Sequence, residues 1–489
     1  MSRSQFLNLV FGVIFAIFAI SAFSAGFLTV HAVQADTPVP DHPRYLKVGT
    51  AVVDSTPTVF PVTVNGGFLP SYAEKVHDPL HVRAIVIDDG TTCIAMLTAD
   101  ICILSDEVVR DAKAEIVKRI PIPAERIMIS ATHCHSAPAV VLTHAAGIDE
   151  NYLPLFREKL IEAAVKAYGN RQDARVAWGK DFDPKNVFCR RFLMKEGKAS
   201  SVDPDLTGST GDLAQMNPGS RIADAVCRTG NPNPAVYVVS FQTPEGKPLA
   251  LMANYSTHYA GSRDISADYF GVFCEEIKKR LNADDSFFAV LTNGTSGDTN
   301  CIDFYDPGRT FDMYTVGNSV ADAAFRACAK MTYQDWVPVK MTDVKMTVRM
   351  RKGTPEQVAK AKKHLADLEA AGKEVSTITD AYAINTVRMD GMPDLHEVTL
   401  QAIRIGDVGI TILPNETYSA TGHTIRAASK APMTYTIGLA NGAGGYLPTK
   451  EDFRLGGYTT WRTLSSWMEE GAEEKIRLKL IEMVNGLFE

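Results

Sequence analysis

The sequence predicts an α/β protein, with mixed β-sheets flanked by helices in one compact domain, on three observations. Strand-like and helix-like segments alternate over nearly all of its 489 residues, the pattern of sheets with helices packed outside. Several apolar strand runs end abruptly in small and polar residues, as strands do where a site is assembled. No internal repeat or low-complexity tract interrupts this. Taken in order, His81–Asp88 and Cys93–Thr98 read as strands joined by the turn dipeptide Asp89-Gly90. Ser105–Ile120 reads as an amphipathic helix with Ser105 as its N-cap and Val108, Val109, Ala112 and Ile116 on one face. Arg126–Ala131 reads as a strand and Asp149–Tyr168 as a helix. Patterning then fades into a long loop at about 181–234, rich in Asp, Asn, Gly, Ser and Pro, as lids and binding loops are.

Beyond it, strands are expected at Ala235–Gln242, Pro248–Tyr255 and Ser286–Leu291, with helices at Ala267–Leu281 and Thr315–Met331. A solvated surface helix at about 354–371 is rich in Ala, Lys and Glu. The C-terminal part predicts strands His396–Ile405, Val408–Leu413 and Thr434–Leu439, and helices Ser419–Ser429 and Ser466–Phe488.

The first 35 residues read as a signal peptide: Arg3 precedes a long apolar run from Phe6, and Val33-Gln34-Ala35 offers a cleavage site. The protein is therefore expected to be exported, periplasmic or secreted, or membrane-anchored if the leader is retained. Residues 36–489 form the expected mature domain. A net charge of −7 with scattered basic residues argues against a nucleic-acid partner. Eight cysteines occur without a Cys-x-x-Cys pair. Most sit in apolar patterns as buried thiols, and a Cys189–Cys227 bridge is left open.

The segment Thr132-His133-Cys134-His135-Ser136 follows a strand and places two histidines at i and i+2, on one side of an extended backbone. Two imidazoles at a strand end suit a catalytic zinc, which takes about three protein ligands and an open position. Four other strand ends carry similar polar clusters: Asn254–His258, Thr292–Asn300, Pro414–Tyr418 and Ala440–Thr449.

In that order the motifs resemble the neutral, non-lysosomal ceramidases, zinc amidases that cleave the N-acyl bond of ceramide. Val48–Asp54 is similar to the family's opening strand, Thr132–Ser136 to its Thr-His-x-His-Ser motif and Pro414-Asn415-Glu416 to its Pro-Gly-Glu. Gly438-Leu439-Ala440-Asn441 through Tyr446 to Tyr458 is similar to its late tyrosine segment. The resemblance covers the catalytic domain, and no C-terminal immunoglobulin-like domain is expected after the last helix. It implies one zinc per chain held by His133, His258, Glu416 and Tyr446. It implies that His135 bonds the scissile carbonyl or oxyanion, that Tyr458 adds a second phenol, and that Asp298 supports the site from its glycine-rich turn. Arg190 is the choice for the family's active-site arginine, with Arg191 as the alternative.

The implied reaction is attack of zinc-bound hydroxide on the amide carbon of ceramide or a related N-acylated amine. The partners are thus a lipid or small-molecule substrate, with peripheral membrane contact possible. Asn300 stands where the family has a serine. This fits the hydroxide route, with Asn300 positioning substrate. It also leaves open a hydrolase of a non-lipid amide or ester on the same scaffold, and a non-catalytic exported binding protein.

Overall fold

Strands His81–Asp88 and Cys93–Ala99 are buried on both faces, and the two faces feed different cores. Ile85, Ile87, Ile94 and Met96 join one cluster, while Val82, Ala84, Val86, Ala95 and Leu97 join another. Near-continuous apolar runs follow directly from this double burial. The structure, a computed structural model, describes residues 44–209 and 211–489. The expected signal peptide lies outside the described residues.

Eight strands form one mixed sheet in the spatial order Phe288–Asn293, Pro248–Tyr255, Ala235–Gln242, Gln172–Phe182, Leu46–Asp54, His81–Asp88, Cys93–Ala99 and Ile127–Ala131. Its end pairs, Pro248–Tyr255 with Phe288–Asn293 and Cys93–Ala99 with Ile127–Ala131, are parallel. A second sheet orders Val339–Arg349, Leu395–Ile405, Val408–Ile412 and Met433–Ile437. The inner faces of the two sheets share one apolar core, in which Leu46, Ile87, Phe241 and Val290 meet Ile403, Ile410 and Tyr435. Helices Asp106–Ile116 and Leu153–Gly169 cover one half of the large sheet's outer face; Asp268–Arg280 and Met313–Cys328 cover the other. Helix Ala472–Gly486 covers the outside of the smaller sheet. The result is a helix–sheet–sheet–helix stack.

Several expectations are corrected. The stretch at 181–234 is no open loop: strand Gln172–Phe182 runs into it, and Arg191–Met194, Ala214–Met216 and Ala225–Arg228 pair into a small sheet. These strands are too short to print a periodicity. Strand Val339–Arg349 was not expected either, because an edge strand carrying Lys340, Lys345 and Arg349 is half-solvated. Helix Ile378–Asp390 shows no apolar stripe because Asp380, Ala381, Tyr382, Ala383, Asn385, Thr386 and Met389 are all buried. The final helix starts at Ala472, after Gly471 in a left-handed conformation at φ 86°. Cys189 and Cys227 form no bridge; Cys189 is buried and Cys227 exposed.

The two outer strands of the large sheet approach each other at one end. Asn293 Nδ2 donates to the Thr132 carbonyl at 3.1 Å. The chain leaving Met433–Ile437 stitches the gap: Gly438 N donates to Asn293 O at 3.1 Å, Ala131 N to Leu439 O at 3.0 Å and Asn441 N to Ile129 O at 2.8 Å. Carboxyl ends of strands from both sheets thus open onto one place, where ligands bind in open α/β sheets.

Close packing of helix Leu153–Gly169 on the large sheet depends on Gly49, where a Cβ would lie 2.1 Å from the Ala167 carbonyl oxygen. Gly49→Ala is expected to destabilise the fold by about 3 kcal/mol, the range for forced overpacking, read as a lower urea midpoint at unchanged slope.

Candidate metal centre

The chain after strand Ile127–Ala131 does not stay extended. His133 adopts φ 75°, uncommon for a residue with a side chain. The i, i+2 histidines therefore converge through a turn and not through strand alternation, with His135 Nε2 3.2 Å from His133 Nε2. The third imidazole, His258, follows strand Pro248–Tyr255 and brings its Nε2 to 3.1 Å from that of His133. Glu416 sits in the short strand Asn415–Thr417, which pairs in parallel with Gly445–Leu447, so that Glu416 and Tyr446 are register partners. Its Oε2 lies 3.3 Å from His133 Nε2 and 3.9 Å from His258 Nε2.

Two backbone carbonyls decide what these atoms offer. His133 Nδ1 donates to the Cys102 carbonyl at 2.9 Å, and His258 Nδ1 to the Ser296 carbonyl at 3.3 Å. Each carbonyl can only accept, so each Nδ1 carries a proton and each Nε2 presents a lone pair, the arrangement by which outer partners orient metal-binding histidines. Two imidazole lone pairs and a carboxylate oxygen then face one another, all buried. Among the described residues Glu416 Oε2 has no hydrogen-bond donor. Acceptors crowded together without a donor need a positive charge among them. Donor atoms around a tetrahedral zinc, with bonds of about 2.0–2.1 Å, lie roughly 3.3 Å apart. The observed separations match this spacing, so the donor set fits a divalent ion.

A second grouping, Cys102 with His133 and His135, fits less well. Cys102 Sγ lies 3.7 Å from His133 Nδ1, the nitrogen already committed to a carbonyl.

The electrostatics agree. Burial opposes charge on His133, but the Glu416 carboxylate outweighs it and pushes the imidazole up to about 10. Glu416 is lowered, because His133 and Arg190 overcome its burial. His258 and His135 are held well below the usual histidine value, first by burial and then by neighbouring positive groups. The cluster thus favours one positive charge beside His133, which a proton or a metal ion can supply.

Arg190 and Arg191 are separated by the structure. Arg190 Nη2 reaches the Tyr446 hydroxyl at 3.2 Å and the Gly297 carbonyl at 3.0 Å, whereas Arg191 pairs with Asp452 at 2.9 Å and takes no part in the centre. Tyr446 Oη lies 3.3 Å from Tyr458 Oη, so the two phenols and Arg190 form one side of the centre. Burial, then Glu416, pushes the Tyr446 phenol well above its usual value, keeping it protonated. Asp298 is buried behind the centre, where its Oδ1 accepts from the Ser419 amide and hydroxyl, both at 2.8 Å. It fixes the chain just after Glu416. Asn300 turns its Oδ1 to the Ile302 amide at 2.9 Å, a local turn outside the cluster.

Sequence reasoning missed three contributors. Tyr259 stacks on His135 with ring centroids 3.8 Å apart, and Gly66 packs against the same ring, where a Cβ would fall 2.3 Å from Nδ1. The Gly66-Gly67 pair was the available signal. His144, buried at φ 42°, packs on Phe68, which in turn contacts Tyr458.

Fold and site together define the class, an α/β chain with a buried His/His/Glu centre at strand ends. Neutral ceramidase from Pseudomonas aeruginosa superposes with a TM-score of 0.67 at 16% identity, over 91% of this chain and 75% of that one. A ceramidase complexed with C2 superposes with a TM-score of 0.67 at 15% identity, with the same coverage. No family model matches the sequence, and no curated protein does. The likeness is one of fold.

Burial pushes His144 down to about 4 against its ordinary 6.5. The unfolded chain therefore binds more protons than the folded one between these values, so stability is full above pH 6.5 and falls as pH drops toward 4. His144→Gln is expected to remove up to about 3 kcal/mol of that acid-limb loss, measured as a flatter stability–pH curve in urea unfolding.

Proposed function

We propose that this chain is a zinc-dependent amidohydrolase that cleaves an N-acyl amide, ceramide or a related N-acylated amine. The observation that carries this reading is the convergence of His133 Nε2, His258 Nε2 and Glu416 Oε2, with Glu416 Oε2 lacking a donor among the described residues. His133, His258 and Glu416 would hold the ion, with the Tyr446 phenol beside Glu416 as the fourth protein ligand. Zinc bound there would polarise the amide carbonyl and activate water at neutral pH.

The chain's own residues supply the rest. His135 is kept neutral by burial, His133 and Arg190. It therefore acts as a neutral hydrogen-bond donor to the developing oxyanion and not as an imidazolium acid. The clamp of Gly66 and Tyr259 fixes the direction of that ring. Tyr458 supplies a second donor, and the buried Arg190 charge favours negative charge forming nearby. Asp298 acts through Ser419 to hold Glu416 in register. The ceramidase complexed with C2 supports an acylated amine as the ligand class. The same reading assigns residues 1–35 to export, which N-terminal sequencing of the mature protein tests.

Elemental analysis of the purified protein, with turnover of a fluorogenic N-acyl amide and its matched ester, tests the assignment. About one zinc per chain is expected, with metal and amide turnover both lost in His133→Ala. His135→Ala is expected to keep its metal and lose about a hundred- to a thousandfold in kcat, the cost of one oxyanion donor. Wild-type turnover in His133→Ala, or ester cleavage alone in the wild type, contradicts the reading.

A further inference from the structure

The segment carrying Tyr458 also passes two arginines that the metal centre does not use, the half-buried Arg351 and the buried Arg462. Arg351 gives its N–H groups to the Met468 carbonyl at 2.8 Å, the Thr460 carbonyl at 2.8 Å and the Ser466 hydroxyl at 3.0 Å. Arg462, 6% exposed, donates to the carbonyls of Asp205 and Leu206 at 3.2 and 3.1 Å, and its Nε has no partner. Among the described residues neither guanidinium is ion-paired with a carboxylate. Arg191, fully buried, has Asp452 at 2.9 Å. Carbonyl oxygens satisfy hydrogen bonds but leave the net charge uncompensated, which is costly for the buried Arg462. Burial, then the charge of Arg462, pulls Arg351 down to about 10 against the opposing charge of Glu470, and burial lowers Arg462 as well.

Arg351 forms part of the wall of a cavity of about 430 Å³, together with Gly208, Ser209, Gly456 and Thr460. Arg462 lies directly behind Gly208, where a Cβ would stand 2.9 Å from its Nη1. The Ser209 Oγ accepts from the Gly211 amide at 3.3 Å, and among the described residues its O–H has no acceptor. At the rim Arg454 is paired with Glu451, and the exposed Glu470 is the one acidic lining residue. Gly456 and Thr460 stand two residues before and two after Tyr458.

We propose that this cavity is an anion site that takes a tetrahedral oxyanion, phosphate or sulfate, either free or as the charged group of the acylated amine handled at the neighbouring centre. The free ion supplies counter-charge to Arg351 on the wall, with Arg462 behind Gly208, and an acceptor for Ser209. The substrate-borne source rests on the amidohydrolase reading; binding of the free ion does not.

The test is calorimetric titration of inorganic phosphate and sulfate into the full chain, with chloride at equal ionic strength as control. Ser209→Asp places a carboxylate on the wall while keeping the acceptor that the Gly211 amide needs. Saturable binding at about one site per chain is expected, weakened at least about tenfold in Ser209→Asp. Phosphate should raise the melting temperature of the wild type and not of the variant. Glu470→Gln removes the rim acid and is expected to tighten phosphate binding severalfold, which keeps the test intact if Ser209→Asp fails to fold. No saturable phosphate binding beyond the chloride control, or equal affinity in wild type and both variants, overturns the proposal.

Two N-acyl amides that differ only in a phosphate on the amine part then separate the sources. A lower KM for the phosphorylated amide, abolished in Ser209→Asp, assigns the site to substrate. Phosphate binding without that preference assigns it to the free ion. Loss of all amide turnover with phosphate binding intact removes the amidohydrolase reading alone.

Discussion

The structure turns on a conflict that folding alone leaves unresolved: three acceptor atoms point at one another in a buried place. His133 and His258 are locked with their Nε2 lone pairs inward by the carbonyls of Cys102 and Ser296, and Glu416 adds a carboxylate oxygen that has no donor among the described residues. Buried acceptors in mutual contact are unfavourable unless a cation joins them. The cost is met by anchoring each residue in a different rigid element, so that none can turn away. The left-handed backbone at His133 belongs to the same account, since unusual conformations persist where the surroundings over-determine them.

The fold makes this possible by bringing its edges together. Parallel strand pairs at both ends of the large sheet deliver His133 and His258, and the smaller sheet delivers Glu416 and Tyr446 in adjacent register. Asn293, Gly438, Leu439 and Asn441 hydrogen-bond across the gap between the sheet's outer strands. Around the acceptors, Asp298 anchors the chain after Glu416 through Ser419, and Gly66 leaves room for His135. Positive charge is concentrated on the tyrosine side, from Arg190 at the centre to Arg351 and Arg462 beyond Tyr458.

Much of this was legible in the sequence because strand ends announce themselves: an apolar run stops and small or polar residues follow. His133, His258, Glu416 and Tyr446 were all chosen at such places, and the structure brings them together. Features that depend on packing were not legible. Arg190 and Arg191 are neighbours in sequence, yet one faces the centre and the other Asp452. The two carbonyls that set the imidazole tautomers leave no mark in side-chain patterns. Helix Ile378–Asp390 is buried nearly all round and shows no stripe, while strand Val339–Arg349 is an edge whose charges mask its alternation. Asn300 stood out as a substituted position, and its Oδ1 accepts from the Ile302 amide in a local turn.

Anomalous scattering at the zinc edge, from a crystal of the zinc-loaded protein, tests the central claim most directly. The account predicts one strong peak within about 2.0–2.2 Å of His133 Nε2, His258 Nε2 and a Glu416 oxygen. A peak between Cys102 Sγ and His133 Nδ1, or no peak among these three residues, would contradict it.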